Sequence, residues 1–133
     1  MEFTQNEICL EQSMCYEIFI RRSHNCKRYE YNANTDVWED LNLKYFKYIN
    51  ANNKEEQDNL KKEYLQKLKE IKNYLDKAYQ KIFYKTSDLD EKDLTSFKNY
   101  QILIIESNEL NVIIKILKMS LDIMNNYKIF DIC

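Results

Sequence analysis

The chain has 133 residues, 44% of them hydrophobic and 32% charged, a formal net charge of −2, and neither glycine nor proline. Glycine and proline average ~7% and ~5% of ordinary sequences, and positive-φ turns and close backbone approaches normally use glycine because a Cβ clashes there. The composition therefore excludes a P-loop, a GxGxxG dinucleotide turn, a GxSxG nucleophile elbow and an EF-hand with its central glycine.

Asn-Gly and Gly-X hairpins are absent too, which argues against a compact all-β fold. Helices joined by asparagine-rich turns remain. The expected architecture is all-α: a compact bundle of four to five helices forming one domain over residues 1–133. Lysine outnumbers arginine seventeen to three, asparagine, isoleucine and tyrosine abound, and alanine occurs three times. Such usage fits an A/T-rich genome, a viral one among others, which accounts for part of the bias without any functional meaning. No run of ~18 apolar residues suggests a membrane span. The acidic start, MEFTQNEICLEQ, does not read as a secretory signal. A soluble intracellular protein is the expectation.

Thr4-Gln5-Asn6-Glu7 matches a capping box. The helix it opens carries Ile8, Cys15, Ile18, Phe19 and Cys26 on roughly one face and is expected to end in Asn32-Ala33-Asn34, where asparagine side chains compete with helical hydrogen bonds. Asn34 or Thr35 then caps a second helix, with Trp38, Leu41, Tyr45, Tyr48 and Ile49 at helical spacing. Asn50-Ala51-Asn52-Asn53 is the next break.

The strongest pattern follows. Tyr64, Leu68, Ile71, Leu75, Ala78 and Ile82 recur at alternating intervals of four and three, the seam of a coiled-coil-like helix over about 54–85. Leu60, Leu65, Tyr79 and Phe83 widen the stripe, which favours packing inside a bundle over a bare zipper. The seam could close within one chain or pair with a second copy, so a homodimer is compatible with it. Ser87 is the expected N-cap of the next helix. Ser107-Asn108 either divides the remainder or lies on its exposed face. The run Tyr100 to Ile105 is rich in β-branched residues, but with no partner strand in sight a helix reaching about Tyr127 is preferred.

Chemistry-bearing clusters are few. Cys9, Cys15, His24 and Cys26 are the metal-capable set, yet their spacing lacks the tight pairs zinc prefers. On one helix Cys15 and Cys26 stand about 16 Å apart at ~1.5 Å per residue. Small buried thiols in reduced form are the plainer reading, and a thiol or metal-dependent role around these four residues is a secondary alternative. With a single histidine, no local motif selects a nucleophilic pair. Asp88-x-Asp90 begins like a calcium loop, but Asp93 replaces the required glycine, and the acids fit a helix N-terminus better. No cofactor and no enzymatic activity are expected.

Residues 61–85 carry eight lysines against three acids in an otherwise acidic chain. Basic and aromatic residues interleave at Lys44-Tyr45-Phe46-Lys47-Tyr48 and at Lys77 to Lys85, an arrangement that can stack bases and hold phosphates. The sequence pI near 5.5 disfavours a dedicated nucleic-acid domain. Surface aromatics more often mark protein interfaces. The expected function is therefore a non-enzymatic protein-interaction module, such as an adaptor, subunit or inhibitor. Trp38, Tyr45, Phe46, Tyr48, Tyr79, Phe83 and Tyr84 are its candidate partner-binding residues, and nucleic-acid association through helix 61–85 is the alternative.

Overall fold

The computed structural model describes residues 29–85 and 88–129, together with Cys15, Tyr16, Ile18, Phe19 and Arg22, all five of them helical; the side chains of residues 29–38, 84 and 85 lie outside that description. Four helices follow in order: α1 (Tyr29–Ile49), α2 (Lys54–Lys85), α3 (Glu91–Glu106) and α4 (Leu110–Asn126). The protein is all-α, with no strand among the described residues. The capping box at Thr4-Glu7 lies outside those residues, as does Ser87.

The expected break at 32–34 does not occur. α1 runs unbroken through Asn32, Asn34 and Thr35. An asparagine inside a helix costs only a fraction of a kcal/mol relative to good formers, too little to end one unless the geometry on either side also favours a turn. At 50–53 it does. The Asn50 amide and backbone N–H both bond the Phe46 carbonyl, at 2.9 and 3.2 Å, closing α1. Asn53 then caps α2 by accepting from the Glu56 N–H at 2.8 Å, while the Glu56 carboxylate reaches back to the Asn52 N–H at 3.4 Å. This reciprocal pairing satisfies donors at the helix start. α2 then occupies the span expected for it.

All six seam residues of α2 are buried, and the seam closes within one chain. Burying each large apolar side chain is worth roughly 1.5–3 kcal/mol. The exposed ion pairs of Asp40 with Lys44 (3.4 Å) and Lys67 (3.8 Å) contribute little beside this. α1 and α3 pack along opposite flanks of α2. Lys67 reaches α1 on one side, and Asp76 accepts a hydrogen bond from the Gln101 amide of α3 on the other.

The N-cap of α3 is Asp90, whose carboxylate accepts from the Asp93 N–H at 2.9 Å. The cap thus falls three residues after the expected Ser87, and the acids of 88–93 serve the helix end as their charge suggests. The β-branched run at 100–105 is helical. Ser107-Asn108 divides the remainder. Ser107 turns extended (φ −76°, ψ 140°), and α2 holds the corner: Lys72 donates to the Ser107 carbonyl at 2.8 Å and to Asn108 Oδ1 at 3.3 Å, and the Tyr64 hydroxyl donates to the Asn108 carbonyl at 3.0 Å.

α4 buries about half of its circumference, including Ile113, Ile116, Leu117, Leu121 and Met124, and exposes Asn111, Lys115, Lys118 and Asp122 on the other half, the pattern of an amphipathic helix facing a core. It ends in a Schellman motif. The Ile129 N–H bonds the Met124 carbonyl at 2.8 Å and the Lys128 N–H bonds Asn125 at 3.1 Å, with Lys128 at φ 53° in the position glycine ordinarily fills.

Candidate interaction surface

The second half of α1 concentrates the aromatic residues singled out in the sequence. Tyr45 and Tyr48 are half-buried and packed against the core. Their rings lie 5.4 and 6.1 Å from that of Tyr64 on α2, within the 4.5–7 Å at which aromatic pairs attract. Phe46 meets Tyr45 edge-on at 5.9 Å and does not belong to the core cluster. One turn to either side of Phe46, Leu43 is 45% and Ile49 47% exposed. Spacing of three residues places Leu43, Phe46 and Ile49 along one face of the helix. The result is an apolar stripe facing solvent, backed by tyrosines that bind α1 to α2. Charge around it is mixed: Glu39 and Lys47 are exposed beside it.

The other candidates separate. Tyr79 is 1% exposed and presents no surface. Its ring lies between those of Phe19 (4.7 Å) and Phe97 (4.8 Å), and its hydroxyl is bonded to Ser120 of α4. The Ser120 hydroxyl donates to the Ile116 carbonyl at 2.8 Å, so Tyr79 is the donor of the pair, since each hydroxyl has a single proton. Phe83 is half-buried near the end of α2. Trp38 lies on α1 and Tyr84 on α2, but their side chains are outside the described residues. Of the two readings the sequence offered for Tyr79, a widening of the α2 stripe and a partner-binding residue, its burial fits the first; Leu43 was passed over, and Ile49 was noted only for its helical spacing with Leu41, Tyr45 and Tyr48. The signal for Leu43 was present in its i, i+3, i+6 spacing with Phe46 and Ile49.

Cys15 is a buried free thiol whose pKa is raised by desolvation, the opposite of an activated nucleophile. Cys9, His24 and Cys26 lie outside the described residues. No group of three or more metal-capable side chains occurs among the described ones. The lysines of α2 differ in what they engage. Lys67 engages Asp40 and Glu70, Lys72 holds the 107–108 corner, and at ~100° per residue Lys62, Lys69, Lys77 and Lys81 spread over an arc of about 120° on the side away from the seam. No described helix is long and apolar enough to cross a membrane.

Comparison with family models, curated proteins and solved structures returned no match for this chain.

Proposed function

We propose that the chain is a non-enzymatic interaction module that binds a partner protein through the second half of α1. The observation that carries this reading is the Leu43–Phe46–Ile49 stripe, in which two large apolar side chains exposed to solvent flank the half-buried Phe46. Contiguous exposed apolar surface is uncommon unless it serves recognition. Interface energy concentrates in a few large side chains ringed by weaker contacts. Phe46, half-buried and set edge-on against Tyr45, is the natural anchor. Tyr45 and Tyr48 act behind it as a rigid floor.

A nucleic-acid role for α2 has less support, because Lys67 and Lys72 are engaged within the fold and the chain is acidic overall, with a net charge of −2, whereas nucleic-acid domains are typically basic.

The test compares the wild-type chain with a Leu43→Ser, Ile49→Ser double variant in affinity purification from the native host, read by mass spectrometry, alongside melting temperatures. Exposed positions change stability by no more than about 0.5 kcal/mol. Loss of a specifically captured protein at unchanged melting temperature is the expected result. Capture that survives in the variant, or binding of oligonucleotides with a steep salt dependence, defeats the reading.

A further inference from the structure

A second apolar surface lies on α3 and is independent of the stripe on α1. The outer face of its C-terminal half carries Ile102 (45% exposed), Ile105 (42%) and Leu103 (47%), while Phe97 and Ile104 face the core. Ile102 and Ile105 are one turn apart on a common line, and Leu103 borders it. Nothing in α3's own packing requires apolar residues there. The opposite flank is already used by Gln101, which donates to Asp76 of α2.

The charges around Ile102 indicate what covers it. Lys98 stands four residues before it and Glu106 four residues after, both exposed. Each lies about 6 Å along the helix axis from Ile102, at ~1.5 Å per residue. Neither makes an ion pair among the described residues. A two-fold axis through Ile102, perpendicular to the helix, brings a second α3 alongside in antiparallel order. Ile102 then meets Ile102 of the other copy, and each Lys98 faces the other copy's Glu106. A parallel pairing would set like charges together instead. The sequence from 98 to 106 is thus self-complementary in charge only for the antiparallel arrangement, which a two-fold, isologous interface accommodates.

We propose that α3 is a homodimerisation helix, pairing antiparallel with α3 of a second copy about Ile102, with Lys98 and Glu106 setting the register. The patch is smaller than the roughly 800 Å² per partner of a standard stable interface, so the dimer is weak and concentration-dependent. The α1 stripe remains outside this pairing helix, so the two surfaces can be tested separately.

Sedimentation equilibrium over a series reaching about 1 mM protein tests it on the full chain, with helicity and melting temperature as controls for folding. The wild type shows a monomer–dimer equilibrium, and Ile102→Asp is monomeric throughout. Because symmetry makes each charge pair occur twice, Lys98→Glu and Glu106→Lys each weaken association between about twofold and thirtyfold. The variant carrying both reversals recovers the wild-type constant. A wild-type chain monomeric at every concentration overturns the proposal and leaves the face to a different protein. A dimer indifferent to Ile102→Asp, or charge reversals that do not compensate each other, overturns it as well.

Discussion

Tyr79 shows how a single polar atom can be carried into a core. Its ring fills space between Phe19 and Phe97, and its hydroxyl would be costly there without a partner; Ser120 accepts the proton and passes its own to Ile116. Tyr79→Phe leaves Ser120 bonded to its own helix, so the loss is that of one net hydrogen bond, about 1 kcal/mol. Tyr79→Ala also opens a cavity and costs roughly 3–5 kcal/mol. Urea denaturation of both variants separates the two contributions. Tyr127 is a different case. Its hydroxyl donates to Asp93 at 2.5 Å and accepts from the Asp90 N–H at 3.4 Å, tying the end of α4 to the start of α3. The bond to Asp93 is the main cause that raises its pKa to about 12. A raised pKa favours the protonated form in the folded state, so this contribution is intact below the ordinary tyrosine value near 10 and disappears as pH climbs through about 12. Stability of the wild type should fall across that window, and Tyr127→Phe should remove part of the fall. Equal alkaline slopes for the two proteins would show that the bond contributes nothing.

Among the helices, legibility depended on whether the stop signal was local. The break at 50–53 could be read because Asn50, Asn53 and Glu56 bond to their own neighbours. Asn32–Asn34 offered the same residue type and no break follows, since composition alone does not supply a cap. The division at Ser107 was left open for the opposite reason: Lys72 and Tyr64, thirty-five and forty-four residues away from their bonding partners, hold it. Asn53→Ala should cost about 1 kcal/mol through the lost cap, visible as a lower melting temperature with little change in folded helicity. At the end of α4 the absence of glycine has a measurable consequence. Left-handed backbone costs a residue bearing a Cβ roughly 1–2 kcal/mol, and Lys128 adopts it at φ 53°. Lys128→Gly relieves that cost against the greater freedom glycine gives the unfolded chain, so stability should rise by up to about 1 kcal/mol. A destabilised glycine variant would mean that the lysine stem itself contributes packing.

The molecule as a whole was most readable where periodicity and burial coincide. The α2 seam, from Tyr64 to Ile82, was marked by its three-four spacing, and every one of its residues is interior. The surfaces were less readable because a helix's apolar face looks alike whether its neighbour is the same chain or another. Tyr79 widened the seam and proved to be core, while Ile102 and Leu43 stayed outside. One apolar cluster takes side chains from all four helices and from Cys15, Tyr16 and Phe19, which makes a specific claim about cooperativity. Leu75 sits near the middle of α2, fully buried, and Leu75→Ala should cost roughly 2–5 kcal/mol. If the cluster acts as one unit, the loss must be felt far from the substitution. Trp38, the single tryptophan, reports locally from α1, whereas far-ultraviolet ellipticity reports on every helix. Both signals should move together to lower urea concentration in the variant, with coincident midpoints, as two-state unfolding requires. A Trp38 transition that separates from the loss of helicity would divide the chain into an α1–α2 hairpin and an α3–α4 hairpin of independent stability. In that case Tyr64 and Lys72 would be the hydrogen bonds to remove next, since they join the first pair to the corner between the second.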